Sequence, residues 1–139
     1  MTIPRYWREI RQRYKGIGSE CQECGNVYFP PRDVCPVCRR ESYGKMKERE
    51  LEGTGKIVTY TKVHEPHPEF KMISPYIIAI VEMDEGVRLT GHLVDADFED
   101  VEEGMEVEVS LRKLGEESPE GIIYYGYKFW PLDNHEPKE

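Results

Sequence analysis

All four cysteines of this 139-residue chain lie in one segment, CQECGNVYFPPRDVCPVC, as two C-x-x-C pairs. Cys21 and Cys24 form the first pair, and Cys35 and Cys38 form the second. Each tight turn directs two thiolates toward one point, and four thiolates complete a tetrahedral metal site. The spacing therefore predicts a metal centre, which constrains the fold more than any other feature of the sequence.

The segment between the pairs favours zinc as the metal. NVYFPPRDV predicts a strand, a Pro-Pro turn and a return strand, which together form the two-stranded tongue of a zinc ribbon. Four thiolates suit iron as well as zinc, so the ligand set leaves both open. The tongue is short, and no flavin, haem or second-cluster motif accompanies it as electron transfer would require. We therefore expect one structural zinc.

The rest of the first 50 residues predicts a helix and a connector. Residues 3 to 14 place Ile3, Trp7, Ile10 and Tyr14 on one apolar stripe of a helix. Four arginines occupy much of the remaining face, namely Arg5, Arg8, Arg11 and Arg13. This face is either solvated or a docking surface, in which case Trp7 and Arg11 contact a partner. Residues 39 to 50 are charged and predict a connector.

Beyond residue 50 the pattern changes to the period of two that is typical of strands. Five β-rich segments cover residues 56–64, 76–84, 87–95, 105–114 and 121–130, with a helical turn predicted at 97–105. This layout predicts an OB-fold, a small Greek-key barrel. The expected fold class is mainly β: an N-terminal helix, a rubredoxin-like zinc ribbon and a five-stranded OB-fold barrel. The expected domains are an N-terminal docking helix at 1–16, the zinc ribbon and connector at 17–50, the OB-fold at 51–132 and a polar tail at 133–139.

Charge and hydropathy limit the classes of partner. Residues 1–50 hold 11 Lys and Arg against 7 Asp and Glu, whereas residues 51–139 hold 8 against 20. The acidic barrel segment repels polyanions, so nucleic acid is disfavoured although zinc ribbons and OB-folds both serve it. No apolar run approaches the length of a membrane span, and the N-terminus lacks the features of a secretory signal. We therefore expect a cytoplasmic protein without a membrane partner.

No familiar catalytic motif is present. The sequence has no G-x-S-x-G elbow, no H-E-x-x-H helix and no Gly-rich phosphate loop, and metal binding would occupy every thiol. His64 and His67 are poor candidates for a second metal site, because Pro66 and Pro68 predict a rigid extended loop. His92 is expected to be a barrel-surface residue or a hydrogen-bonded core residue, and His135 lies in the tail.

The most distinctive loop of the barrel joins His64 to Tyr76. Phe70, Met72 and Ile73 are apolar residues in an otherwise polar segment, and Lys71 lies among them. These side chains either cover an open end of the barrel or contact a ligand or partner, because OB-folds commonly bind through such loops.

The order of these parts, together with the strings YFPPR, GTGKIVTYT, PYIIAIVEMDEG and EEGMEVEV, resembles a family of zinc-ribbon OB-fold proteins of acyl-coenzyme A metabolism. The resemblance covers residues 3 to 131. The archaeal branch of that family resembles a subunit found with acetoacetyl-CoA thiolase and 3-hydroxy-3-methylglutaryl-CoA synthase, where it bridges the two enzymes of the mevalonate route.

The resemblance implies a non-catalytic scaffold that brings the two enzymes together for channelling of acetoacetyl-CoA. It also implies that all four cysteines bind the metal, and it suggests contact with CoA or acyl-CoA at a partner interface, with Lys71 or Arg88 near the CoA phosphates. Arg39 departs from the pattern, since many ribbons have Gly there. Alternatives are a nucleic-acid-binding module, an accessory subunit of another thiolase-like acyl-CoA enzyme, and an acyl-CoA enzyme such as a thioesterase.

Overall fold

The computed structural model describes residues 3–116 and 118–132, and the chain divides into two compact units. The first unit comprises Met1–Glu52 and Glu85–Val87, and the second comprises Gly53–Asp84 and Arg88–Glu139. No helix in the described ranges is long and apolar enough to cross a membrane. The predicted polar tail at 133–139, which includes His135, lies outside the described residues.

Two short helices replace the single helix predicted over residues 3 to 14. Helix α1 spans Ile3–Arg8 and helix α2 spans Ile10–Lys15, with Glu9 between them. The Glu9 carboxylate accepts hydrogen bonds from Arg13 (2.6 Å) and Arg5 (3.0 Å), and these bonds lower the pKa of that carboxyl. The chain then leaves α2 through Gly16, whose φ of 62° is the left-handed conformation favoured at helix ends.

The buried aromatic residue of α1 is Tyr6 and not Trp7. Tyr6 is 2% exposed and its hydroxyl contacts that of Tyr14, whereas Trp7 is 59% exposed. The first two residues of the predicted apolar stripe, Ile3 and Trp7, are therefore exposed and do not form the buried face of this segment.

A three-stranded sheet carries the cysteine segment. Its strands are β1 (Ile17–Cys21), β2 (Val27–Tyr28) and β3 (Met46–Glu50), and β1 pairs antiparallel with both of the others. The predicted tongue is thus incorrect, because no return strand follows β2 before Cys35. Instead, β2 pairs with the strand that precedes the first cysteine pair. The connector prediction is also incorrect over β3, and a 3₁₀ helix, η1, spans Arg39–Ser42.

The second unit is a closed five-stranded barrel, as predicted. Its strands are β4 (Thr54–Val63), β5 (Tyr76–Met83), β6 (Arg88–Leu93), β7 (Glu106–Glu116) and β8 (Ile123–Pro131). They close in the order β4-β5-β6-β8-β7. All pairs are antiparallel except β6 and β8, which meet in parallel at Leu93 and Phe129. The 3₁₀ helices η2 (Pro68–Ile73) and η3 (Phe98–Asp100) lie in the connections.

Each unit has its own buried apolar residues. In the barrel, alternate strand residues face inward because successive side chains point to opposite faces of a sheet. The barrel core contains Ile57, Ile77, Ala79, Val81, Met83, Leu89, Leu93, Val101, Val107 and Phe129. The first unit buries a smaller set, namely Tyr6, Ile17, Cys21, Cys35, Leu51 and Val87. This difference in core size bears on how much each unit depends on the metal.

Candidate metal centre and interaction surfaces

Two backbone turns bring the four cysteines together. Strand β1 ends at Cys21, whose N–H donates to the Asn26 carbonyl (2.9 Å) and whose carbonyl accepts from the Gly25 N–H (2.8 Å). Gly25 has a φ of 73°, so glycine is well suited to close this turn. In the second turn the Arg39 N–H donates to the Cys35 carbonyl (2.8 Å).

The sulfur positions fit a tetrahedral metal. All four Sγ atoms lie within 4.8 Å of one another. The Cys24–Cys35 separation is 3.6 Å and the Cys21–Cys38 separation is 3.9 Å. Metal–sulfur bonds of about 2.3 Å at tetrahedral angles place sulfur atoms about 3.8 Å apart. Cys21 and Cys35 are fully buried, so the cluster is anchored from inside the unit.

Hydrogen bonds around Cys35 favour its thiolate form. The backbone N–H of Cys38 and the Tyr28 hydroxyl, 3.2 Å from the sulfur, lower the pKa of Cys35 to about 6. The neighbouring sulfurs act in the opposite direction on Cys38, where the contact with Cys24 and burial raise the pKa to about 12. These shifts favour the thiolate form of Cys35 and oppose the ionisation of Cys38, which would add a second negative charge. A bound divalent cation would stabilise both thiolates.

An open groove of about 700 Å³ lies beside the second cysteine pair. Its lining consists of Arg32, Val34, Cys35, Pro36, Arg39, Arg40 and Tyr43. Among the described residues, none of the three arginines forms an ion pair, although Arg32 lies over the Tyr28 ring at 5.6 Å. Val34 and Tyr43 are exposed, as is Val37 in the same turn. Sequence analysis did not identify this groove, because its arginines are scattered among the metal ligands.

The predicted contact residues fall in both units. In the first unit Trp7 is exposed, but Arg11 makes a bidentate pair with Glu48 at 2.8 and 2.9 Å. In the barrel, Lys71 is exposed and makes no ion pair with a described residue, whereas Arg88 pairs with Glu82 at 2.9 Å. Arg11 and Arg88 are therefore paired within the chain. The Lys71 ammonium makes no ion pair with a described residue, and the Trp7 side chain is exposed.

The loop between His64 and Tyr76 contains η2 and is not an extended segment. His67 begins this 3₁₀ helix, and its Nδ1 accepts a hydrogen bond from the Glu69 N–H at 3.4 Å. Phe70 packs edge-on against Tyr76 and His92, at centroid distances of 5.9 and 5.1 Å. Within this loop, Met72 and Ile73 are 95% and 45% exposed. Phe70 therefore packs on the barrel, whereas Met72 is almost fully exposed.

A cluster that sequence analysis missed lies on the outer face of the barrel. Lys128 on β8 is only 8% exposed, and His92 on β6 has a buried Nδ1 without a hydrogen-bond partner among the described residues. His92 therefore lies on the barrel surface, one of the two positions expected for it, but its buried Nδ1 lacks the hydrogen bond expected of a core histidine. The one available indication in the sequence was a lysine within the aromatic strand segment YYGYKFW.

A rubredoxin-like cysteine ribbon followed by a closed OB barrel defines a known class of two-part protein, and comparisons with known families agree with this. Residues 8–44 match the family model "ChsH2, rubredoxin-like zinc ribbon domain", and residues 48–112 match "ChsH2, C-terminal OB-fold domain". The chain belongs to this family, whose members are also called DUF35 proteins. The family assignment made from the sequence is thus confirmed.

Individual relatives match over nearly the whole chain. The chain is 47% identical to a DUF35 domain-containing scaffold protein of Methanocaldococcus jannaschii, over 95% of this chain and 92% of the relative. It is 50% identical to a protein of the same description from Methanothermobacter thermautotrophicus, over 91% and 94%. The solved structure of the Ltp2-ChsH2(DUF35) aldolase matches with a TM-score of 0.67 and 31% identity, over 91% of this chain and 90% of that one.

Proposed function

We propose that this protein is a non-catalytic scaffold subunit that holds two enzymes of acyl-CoA metabolism together in the cytoplasm. The observation that carries the proposal is that each unit displays exposed apolar side chains next to cations that form no ion pair with a described residue. In the first unit these are Val34 and Tyr43 beside the groove arginines, and in the barrel they are Met72 and Ile73 beside Lys71. Two such surfaces on one small chain suit a bridge. The description of both archaeal relatives as scaffold proteins supports it.

The two enzymes that we propose are acetoacetyl-CoA thiolase and 3-hydroxy-3-methylglutaryl-CoA synthase. The thiolase condensation of two acetyl-CoA molecules is unfavourable, so rapid consumption of acetoacetyl-CoA by the synthase draws the reaction forward. A scaffold that holds the enzymes side by side raises the local concentration of the intermediate at the second active site. In this mechanism the metal stabilises the ribbon and takes no part in the chemistry, since four cysteine ligands fill a tetrahedral zinc site.

Purification of the tagged protein from its own host tests the bridge. We expect both enzymes to be recovered in a fixed ratio with the zinc-loaded chain at moderate salt. In the reconstituted complex, an added dehydrogenase that consumes free acetoacetyl-CoA should intercept less intermediate than it does from the two enzymes alone. Recovery of neither enzyme, or equal interception with and without the chain, would reject the proposal. Recovery of nucleic acid that dissociates with rising salt would favour the nucleic-acid-binding alternative instead.

The solved aldolase relative favours a second candidate, an accessory subunit of another acyl-CoA enzyme. Purification from the host separates the two, because this alternative predicts one partner enzyme that is neither the thiolase nor the synthase. Turnover of acetyl-CoA by the chain alone would indicate a thioesterase and contradict both.

We further propose that Lys71 contacts CoA at a partner interface, since Lys71 makes no ion pair with a described residue while Arg88 is paired with Glu82. Lys71→Ala should weaken the retention of CoA by the complex, and Arg88→Ala should do so less. Lys56→Ala is the matched control, because Lys56 is also exposed but pairs with Glu106 at 3.5 Å. Unchanged CoA affinity in Lys71→Ala would remove Lys71 from the interface.

A further inference from the structure

The outer face of the barrel carries a basic cluster where β6, β7 and β8 adjoin. Leu93 and Phe129 pair across β6 and β8 and are buried in the core, so the preceding residues, His92 and Lys128, lie side by side on the outer face. Lys128 also pairs with Ser110 of β7, and Arg112 follows two residues later on the same face. Strand pairing thus brings together three basic side chains from three strands.

Lys128 is the central residue of this cluster. It is 8% exposed and makes no ion pair or hydrogen bond with a described residue. Burial and the nearby Arg112 charge both lower its pKa. Lys128 Nζ is not among the fully buried unpartnered polar atoms, so the ammonium reaches the surface of the barrel while most of its side chain is covered. Partial desolvation disfavours the charged form, and a carboxylate from a ligand or partner would stabilise it.

The other two basic groups do not supply that counterion. Arg112 donates to Asp95 at 2.7 Å and to Ser110 at 3.1 Å, and its guanidinium lies over the Trp130 ring at 5.5 Å. The Asp95 charge is therefore already matched by Arg112. Burial, followed by the Lys128 charge, lowers the pKa of His92, which favours the neutral ring. Glu108, on the same face of β7, accepts a hydrogen bond from Trp130 Nε1 at 3.3 Å and does not pair with Lys128. Lys128 is thus the one positive charge of this cluster without an ion pair among the described residues.

Aromatic and apolar side chains surround the cluster. The His92 ring packs against Tyr76 at 4.5 Å and Phe70 at 5.1 Å, and Trp130 lies beside Arg112. Phe70 is part of η2, which also presents the highly exposed Met72. Tryptophan, tyrosine and arginine around a desolvated centre are the residues that dominate binding energy at protein interfaces.

We propose that this outer face, defined by Phe70, Tyr76, His92, Arg112, Lys128 and Trp130, docks a protein partner that places one Asp or Glu carboxylate against Lys128. A single carboxylate matches the single uncompensated charge, whereas a polyphosphate would bring excess negative charge to a chain segment with 8 basic and 20 acidic residues. The many acidic residues in the rest of this segment would repel an acidic partner that approached them. The basic cluster therefore also sets the orientation in which the partner docks. The inference rests on the proposed scaffold function, because it assumes a protein partner.

The first test compares Lys128→Met with Lys113→Met in the zinc-loaded chain with the two proposed enzymes. Lys113 is a matched control, because it lies on neighbouring β7 and is paired with Glu116. We expect Lys128→Met to weaken binding to one of the enzymes about 30-fold, and Lys113→Met and the conservative Lys128→Arg to leave binding within about threefold. The same Lys128→Met change should keep or raise the Tm of the isolated protein, since it removes a partly desolvated charge that makes no ion pair with a described residue.

The second test identifies the carboxylate directly. A carbodiimide activates a carboxyl group and joins it to a contacting lysine amine as an amide, and the reagent leaves as a urea that carries the oxygen. Mass spectrometry of the treated complex should find Lys128 linked to an Asp or Glu of the partner enzyme.

The outcomes separate the two proposals. If the wild-type chain binds both enzymes and Lys128→Met binds them equally well, the docking face is wrong and the scaffold function stands. If the wild-type chain binds neither enzyme, the scaffold function fails and this inference fails with it. A fall in Tm of more than about 3 °C in Lys128→Met, together with lost binding and no cross-link, would show that Lys128 only supports the barrel.

Discussion

Arg39 directly follows the last cysteine and has a φ of 52°, in the region that non-glycine residues seldom adopt. The sequence already drew attention to this position, because many ribbons have glycine there. The left-handed conformation costs a residue with a Cβ about 1 kcal/mol or more. Since the Arg39 N–H is held by the Cys35 carbonyl, the turn imposes this conformation on the residue.

Arg39→Gly should therefore raise the free energy of unfolding of the zinc-loaded protein by about 1 kcal/mol. Chemical denaturation followed by circular dichroism measures the change. Arg40→Gly is the matched control, because Arg40 lies in the 3₁₀ helix η1 without a positive φ and should be destabilised by glycine. Equal effects of the two substitutions would mean that the turn stores no strain at Arg39.

Single residues also explain where the helix prediction failed. The spacing of Ile3, Trp7, Ile10 and Tyr14 suits a continuous helix, yet the chain breaks at Glu9. Glu9 joins Arg5 and Arg13 on either side of the break, and Tyr6 becomes the buried aromatic residue. The spacing of apolar residues did not reveal this, because Tyr6 is held by a contact of its hydroxyl with that of Tyr14.

At the scale of elements, Gly55 shows how closely β4 and β5 approach. A Cβ at this position would lie 2.5 Å from the Glu82 carbonyl oxygen and 2.8 Å from a Val81 methyl group. Gly55 lies inside β4 and pairs with Met83 of β5. The backbone oxygen cannot rotate away as a side chain can, so the strand pair would have to separate.

We expect Gly55→Ala to lower the free energy of unfolding by about 2 kcal/mol or more. Gly115→Ala in β7 provides a matched control, because its Cβ would meet only Tyr124 at an ordinary 3.8 Å. Denaturant unfolding of both variants gives the comparison. If Gly55→Ala were as stable as Gly115→Ala, the close approach of β4 and β5 would be refuted.

Strand β3 illustrates the limit of element prediction from local sequence. Its residues, MKERE, are mostly exposed and show no apolar alternation, so the segment was predicted to be a connector. It is nevertheless a strand, because its backbone pairs with β1 from Ile17 to Cys21. By contrast, β5 alternates buried and partly exposed residues along its length, and the sequence predicted it closely.

At the scale of the whole molecule, the two units should respond differently to loss of metal. The first unit buries few apolar residues outside the cysteines, whereas the barrel has a continuous core of its own. Small domains with little core commonly need a metal to fold. Removal of the metal, or Cys21→Ser, should therefore abolish hydrogen-exchange protection in β1 and β3 while β5 and β7 remain protected.

Hydrogen exchange with mass spectrometry, before and after chelation, measures this difference, and metal analysis confirms the loss of one zinc per chain. Re-addition of zinc provides the control and should restore protection in β1. Protection of β1 that survived metal removal would contradict a structural role of the metal. Equal loss of protection in β5 would contradict independent folding of the barrel.

The sequence by itself predicted the four-cysteine cluster and the five barrel strands, and the structure contains both. C-x-x-C spacing and period-two alternation are local properties, since each fixes the direction of side chains a few residues apart. Only the tertiary structure decided that β3 pairs with β1, that three arginines line one groove, and that Lys128, His92 and Arg112 meet on the barrel surface. Those features depend on which distant segments become neighbours, and a side chain such as Lys128 is covered only after the strands have closed around it.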